Sequence, residues 1–131
     1  MKIGHITFHY KPVVGGQEVY IKNLINVFKK IGVINTVYQP YNKNFHPLSS
    51  SNNSENENIE LVFTIPFIGR IIKNIRIYLF NFFLWLTKLK KISRENIVIV
   101  HYAFHVLPVW KYKKKVIILS HGIEWYPDSK K

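Results

Sequence analysis

Short, continuously apolar runs alternate along the chain with longer runs in which apolar side chains recur every three or four residues. The short runs have the length of single strands, and the longer runs have the period of a helix. Apolar strands separated by helices are typical of a parallel sheet that helices cover on both faces. The pattern therefore predicts an α/β fold, a Rossmann-like open parallel sheet with helices on both faces. The predicted strands are 2–8, 33–38, 59–65, 96–100 and 116–119, and the predicted helices are 17–31 and 67–91, with a short helical or irregular segment at 106–110.

The first predicted helix has the clearest amphipathic pattern, and with the strands on either side of it the helix would form a βαβ unit. Glu18 lies in its first turn and two lysines lie in its last turn, which complements the helix dipole. Gly32 is expected to end the helix in a left-handed conformation. His5, inside the first strand, is expected to be a hydrogen-bonded core residue. The side chains expected to face the core are Tyr20, Leu24, Val27, Phe28 and Ile31.

A proline and two adjacent glycines, Pro12, Gly15 and Gly16, lie between the first strand and the first helix. Because glycine has no Cβ, a bound group can approach the main chain closely there. The helix would also direct its unpaired N–H groups and its positive dipole end at this turn, which favours a phosphate or another anion. Gly15 and Gly16 are therefore predicted to bind an anion. The alternative is a tight strand-to-helix turn without a ligand.

Histidines follow two of the later strands. His101 comes directly after strand 96–100, and His121 with Gly122 follows strand 116–119. In open parallel sheets, ligands bind beyond the carboxyl ends of the strands. The glycine turn and both histidines are therefore expected at one edge of the sheet.

The run 67–91 is the most apolar part of the chain. At helical spacing six of its polar residues gather on one narrow stripe, and the remainder is wide and apolar. The six are Arg70, Lys73, Asn74, Asn81, Lys88 and Lys91. Its uncharged part, 77–87, is shorter than the roughly 20 residues that span a bilayer. Two interpretations stay open: the helix packs in the core, or it lies in a membrane interface with basic residues near anionic head groups. The membrane-surface candidates are Arg70, Lys73, Lys88, Lys90 and Lys91.

The length of 131 residues suits one domain, and the Asn- and Ser-rich segment 42–58 is predicted to be a mobile loop within it. The chain has no cysteine, which excludes disulfides and favours a reducing compartment. It does not open with a signal-peptide pattern. We therefore expect a cytoplasmic protein, or one that is peripheral on the inner face of the cytoplasmic membrane.

The charge balance is strongly basic, with 19 Lys and Arg against 7 Asp and Glu, a formal net charge of +12. Such a charge attracts nucleic acid, anionic lipid or sugar nucleotides. The sequence contains no recognised nucleic-acid-binding motif and no basic face interleaved with aromatic residues, so nucleic acid is not an expected partner.

Several of these residues together resemble a known family, the N-terminal domain of family 4 glycosyltransferases, which are retaining enzymes of the two-domain GT-B fold. The likeness spans nearly the whole chain, although 42–92 matches by pattern alone. The residues that carry it are 1–7 (MKIGHIT), Pro12 with Gly15 and Gly16, Glu18 and Tyr20 before the helix with Leu24 and Phe28, and 118–125 (ILSHGIEW).

The resemblance implies sugar transfer from a nucleotide-sugar donor to a glycan or lipid-linked acceptor, as in cell-surface polysaccharide or lipopolysaccharide biosynthesis. By position, Gly15 and Gly16 would face the donor phosphates and His121 would be the catalytic residue. His101, Gly122 and Glu124 would lie on the acceptor side. The resemblance implies no metal and no cofactor besides the donor substrate.

The chain departs from known sequence patterns in two ways that bear on its function. The family's second, donor-binding domain has no counterpart in residues 1–131, so the chain is expected to be a partial N-terminal, acceptor-side domain that is inactive as an isolated piece. The turn also lacks the third glycine of Gly-x-Gly-x-x-Gly, which disfavours a dehydrogenase. The alternative function is a basic α/β module that docks on an anionic membrane surface.

Overall fold

The computed structural model describes residues 1–10, 15–41, 57–63 and 75–119. Five strands form one sheet in the order β3-β2-β1-β4-β5, and every neighbouring pair is parallel. The predicted Rossmann-like α/β sheet is confirmed. The strands are β1 (Lys2–Ile6), β2 (Ile34–Pro40), β3 (Glu57–Val62), β4 (Ile97–Val100) and β5 (Val116–Ile118).

The first helix, α1 (Gly16–Lys30), covers one face of the sheet. It ends as predicted at Gly32, which has a φ of 73°. The N–H of Gly32 donates to Lys29 O, and the N–H of Val33 donates to Phe28 O, the two bonds of a Schellman motif. This stop lets the chain turn directly into β2.

The face that α1 buries differs from the predicted one. Ile21 and Ile25 are fully buried against Val37, and Leu24 and Phe28 pack beside them. The apolar arc of α1 is wider than the face that the sheet covers, and the sheet selects the side centred on Ile21 and Ile25. The predicted core residues that lie exposed instead are Tyr20, Val27 and Ile31.

The opposite face of the sheet is covered by α2 (Ile75–Ile92) and by a kinked 3₁₀ segment (Ala103–Lys115) that connects β4 to β5. The largest core cluster lies here and includes Ile6, Tyr38, Phe80, Leu84 and Val109. Helices therefore lie on both faces, as predicted. None of the helices in the described ranges is long and apolar enough to cross a membrane.

The polar stripe of α2 faces the rest of the protein. This corrects the expectation that Lys88 and Lys91 on this stripe are available to lipid head groups. Asn81 is buried, and Lys88 reaches Glu60 on β3 at 2.9 Å. Lys91 bonds the other carboxylate oxygen of Glu60. Burial alone would raise the pKa of Glu60, but its bonds to Lys91 and Lys88 hold that pKa below the ordinary value. Each polar side chain of this part of the stripe thus has a partner on the protein.

Some predicted boundaries also change. Glu57 and Asn58 pair with β2 as the start of β3, so the predicted loop 42–58 ends earlier, and 42–56 lie outside the described residues. The described part of the second helix runs from Ile75 to Ile92.

Candidate ligand-binding site

The order of the strands reverses between β1 and β4, because β2 and β3 lie on one side of this pair and β5 lies on the other. In open parallel sheets a crevice opens at such a switch point, outside the carboxyl ends of the strands, and ligands bind there. β1 ends at Ile6, and the next helix, α1, begins at Gly16. The glycine turn therefore belongs to the strand at the switch point.

The first turn of α1 has the geometry of an open anion site. Gly15 is the N-cap with an extended backbone, and no side chain caps the helix there. Gly16 is exposed, and a Cβ added to it would meet no heavy atom within 4 Å. The φ of Gly16 is not positive, so its backbone does not require glycine. What the missing side chain provides is open space beside the first N–H groups of the helix.

Glu18 already brings a negative charge to this turn. A Cβ on Gly15 would lie 2.6 Å from Glu18 Oε2, so the carboxylate folds back over the N-cap glycine. A carboxylate at this place interacts favourably with the helix dipole. The same oxygen would repel an incoming phosphate at Gly15 unless the side chain moves, and therefore Gly16 is the more accessible of the two glycines.

Gln17 connects the glycine turn to the end of β4. Its Nε2 donates to the main-chain oxygen of His101 at 3.2 Å, and the N–H of His101 donates to Ile6 O at 2.9 Å. The start of α1 and the carboxyl ends of β1 and β4 are thereby held together. This confirms that His101 and the glycine turn lie at the same edge of the sheet.

The imidazole of His101 is completely buried beneath that edge. Its Nε2 lies 3.1 Å from His5 Nδ1, and His5 Nε2 lies 3.1 Å from Asn35 Oδ1. Asn35 Nδ2 donates to Val33 O, so Asn35 Oδ1 is the acceptor and His5 Nε2 carries a proton. With both rings neutral, His101 Nε2 then donates to His5. His5 is the hydrogen-bonded core residue predicted from the sequence, and the described contacts of His101 are to the protein.

A third buried histidine, His105, was not predicted from the sequence. Its Nδ1 lies 2.7 Å from Asn81 Oδ1, while Asn81 Nδ2 donates to Phe104 O at 2.8 Å. The amide orientation assigns the proton to His105 Nδ1, which leaves a lone pair on Nε2. Nε2 is buried and has no hydrogen-bond partner within the described part of the chain. A polar residue amid an apolar helix, Asn81, was the one sequence signal for this pair.

Aromatic rings surround His105 and keep it neutral. Phe8 stacks on it at 6.1 Å between ring centroids, and Phe80 meets it edge-on at 4.9 Å. Burial lowers the pKa of His105 to about 3, with a smaller contribution from nearby His9. His9 itself is exposed three residues beyond the end of β1, and the hydroxyl of Thr7 donates to its main-chain oxygen. His9, like His105, was not predicted from the sequence to be near a site.

The remaining predicted residues divide into two groups. Lys90 is exposed, while Lys88 and Lys91 pair with Glu60. The structure thus gives two of the membrane-surface candidates a partner on the protein. Five predicted residues lie outside the described ranges and remain predictions, namely Arg70, Lys73, His121, Gly122 and Glu124. Within the described ranges, no group of three or more His, Cys, Asp or Glu side chains is arranged to hold a metal ion.

The chain is similar to known proteins in its fold but not in its sequence. No protein-family model matches the chain, and no curated protein matches it. Among solved structures, the chain is similar to a UGT transferase from Siraitia grosvenorii, solved in complex with UDP, with a TM-score of 0.58 and 10% sequence identity. The match covers 91% of this chain and 27% of that one, so the chain spans about a quarter of that protein's length. The likeness shows that the chain has a Rossmann-like α/β fold.

Proposed function

We propose that the chain is the N-terminal, acceptor-side part of a retaining glycosyltransferase of the family 4 type, which uses a nucleotide-sugar donor. The observation that carries the proposal is the position of the glycine turn. The open first turn of α1 follows β1 at the switch point of the sheet, beside the end of β4. The UDP in the structurally similar transferase supports a nucleotide diphosphate as the class of ligand.

In this mechanism, the main-chain N–H groups of Gly16 and Gln17 stabilise negative charge on the departing diphosphate. Sugar transfer from such a donor places growing charge on the diphosphate oxygens, and preset donors act on that charge without reorganisation. The dipole of α1 acts in the same direction. The acceptor is a glycan or a lipid-linked sugar, and no metal takes part.

The Gly16→Val variant of the full-length protein is expected to lower kcat/KM for the donor about ten- to a hundredfold. A branched side chain would fill the open space beside Gly16 and remove one charge-assisted hydrogen bond, which contributes about 1.5–3 kcal/mol. Transfer would be measured with a panel of nucleotide sugars and a lipid extract as acceptor. Asn26→Val is the matched control, since Asn26 is an exposed residue of the same helix far from its N-terminus. Equal activity of both variants would refute the role of the turn.

His121 is proposed to position the acceptor hydroxyl or the reacting sugar. His121→Ala in the full-length protein is expected to lower kcat with a much smaller change in donor affinity, because the lost contacts are made to the reacting groups. Donor affinity would be measured by calorimetry alongside the steady-state rates, and thermal melting would report folding. A variant that melts early but turns over normally when folded would assign His121 a structural role.

A further inference from the structure

The side of α2 that points away from the sheet is apolar and aromatic. Tyr78, Phe82, Trp85 and Leu86 each expose half or more of their surface. Their spacing of three and four residues places them on one face of the helix. We refer to these four residues as the aromatic face. Exposed apolar patches of this kind mark surfaces that contact a partner or a membrane.

The 3₁₀ segment extends this surface. Leu107 and Trp110 are also more than half exposed. A shallow groove of about 270 Å³ runs between the two elements, lined by Tyr78, Asn81, Phe82, Trp85, Leu107 and Pro108. The apolar surface is therefore continuous from α2 to the 3₁₀ segment.

Basic side chains border the same surface. Lys90, one turn after Leu86, is exposed on α2, and Lys111 is exposed next to Trp110. Neither α2 nor the 3₁₀ segment contains an acidic residue. The surface therefore combines tryptophan, tyrosine, phenylalanine and leucine with cations alone, in a chain whose formal net charge is +12.

We propose that the aromatic face and the 3₁₀ segment dock on a membrane surface that contains anionic lipid. Tryptophan and tyrosine favour the boundary between head groups and acyl chains, leucine and phenylalanine enter it, and lysine and arginine attract anionic head groups. Two copies of the chain pairing through this face would bring their basic borders together, and like charges oppose such pairing. Nucleic-acid bases could stack on the four exposed rings, but Leu86 and Leu107 offer no ring, so the mixture of leucines and rings favours acyl chains over bases.

The lysines that contact lipid therefore differ from those suggested by the sequence alone. Lys88 and Lys91 lie toward Glu60 on the sheet side of α2, while Lys90 borders the aromatic face one turn after Leu86. This inference does not rest on the proposed sugar transfer.

The test is sedimentation of the protein with vesicles of phosphatidylcholine alone and of phosphatidylcholine mixed with phosphatidylglycerol. We expect binding to the mixed vesicles, and a loss of at least about tenfold in the Phe82→Ser/Trp85→Ser double variant, since two large side chains no longer enter the interface. Val27→Ser/Ile31→Ser is the matched control, because both residues are exposed, Val27 on α1 and Ile31 at its C-cap, on the other face of the sheet. Charge reversal of Lys90 should weaken binding to mixed vesicles roughly fivefold or more.

Two fluorescence measurements test lipid contact without relying on the folding of the double variant. Brominated lipid should quench the fluorescence of the unmodified protein, and Trp85→Phe should remove part of that quenching. The proposal is overturned if mixed vesicles do not bind, or if the double variant and its control bind equally. It is also overturned if the double variant instead dissociates a dimer of the chain or abolishes binding to a single-stranded oligonucleotide.

Discussion

Acidification from pH 6.5 toward pH 3 is expected to destabilise the folded chain through His105 by as much as about 5 kcal/mol. Burial lowers the pKa of His105 from an ordinary 6.5 to about 3. Each unit of pKa difference corresponds to about 1.4 kcal/mol. Between these two pH values the unfolded chain binds one more proton than the folded chain, so stability falls as the pH falls. Above pH 6.5 the contribution of His105 is constant.

The physical reason is that the buried ring has no partner for a second proton. Nδ1 already donates to Asn81 Oδ1, and Nε2 lies among aromatic rings. A protonated ring would carry an unpaired charge in an apolar place, which is strongly unfavourable. Protonation therefore takes place mainly in the unfolded chain.

Urea unfolding at a series of pH values measures this effect. Glu60, whose pKa is lowered, also loses stabilisation as the pH falls below 4.5, so the comparison must be made between variants. His105→Phe should be less stable than the parent at pH 7 but should lose less stability on acidification. The control is His9→Phe, the same substitution at an exposed histidine. This variant should lose nearly as much unfolding free energy on acidification as the parent does. Parallel curves for the parent and His105→Phe would contradict the burial of a neutral His105.

Replacing Tyr38 by phenylalanine is expected to cost about 3 kcal/mol of unfolding free energy. The Tyr38 hydroxyl is buried and donates to Glu95 Oε1 at 3.0 Å. Glu95 is buried too, and its Oε2 has no partner among the described residues. Phenylalanine would keep the ring packing and remove the donor to this carboxylate, and a buried charged group left without its partner is more costly than an ordinary lost hydrogen bond.

The backbone supports this assignment. Gly4 lies beneath the pair, and a Cβ there would approach Glu95 Cγ to 3.1 Å and Tyr38 Cε2 to 3.2 Å. The absence of a side chain at Gly4 therefore lets the two residues meet. Burial, and after it the charge of Glu95, also raises the pKa of the Tyr38 hydroxyl, so the hydroxyl stays protonated and remains a donor.

A double-mutant cycle separates the hydrogen bond from other losses. Chemical denaturation would be measured for Tyr38→Phe, Glu95→Gln and the double variant, with Tyr41→Phe as an exposed control. The double variant should lose less stability than the sum of the two single variants, because both remove the same interaction. Additive losses, or a cost for Tyr38→Phe no larger than that of Tyr41→Phe, would contradict the pairing.

The sequence predicted well those features that depend on neighbouring residues. The apolar strands, the helix between the glycine turn and Gly32, and the βαβ unit were all confirmed. Each follows from local backbone preference or from the period of apolar residues, and both can be read from a single segment. The prediction that the strands are parallel and that helices cover both faces of the sheet came from the same pattern.

Features that depend on distant partners could not be predicted in this way. Periodicity placed Asn81, Lys88 and Lys91 on one stripe correctly, but it could not show which side of α2 faces the sheet. The partners that turn this stripe inward are Glu60 and His105, which lie more than 20 residues away in the chain. The same limit explains why His105 was missed, since its role follows from the surrounding rings of Phe8 and Phe80.

Nucleotide binding at the first turn of α1 is tested most directly by two-dimensional amide NMR of the ¹⁵N-labelled chain during titration with UDP. The proposal predicts progressive shifts of the Gly15, Gly16 and Gln17 amides, with little change at Lys29 and Lys30 at the opposite end of α1. Because an exposed helix dipole contributes only about 0.3–1 kcal/mol, the affinity of this chain alone should be weak. The proposal would be contradicted if the Gly16 and Gln17 amide signals stay unchanged at the highest UDP concentration, or if the shifts are confined to other parts of the chain.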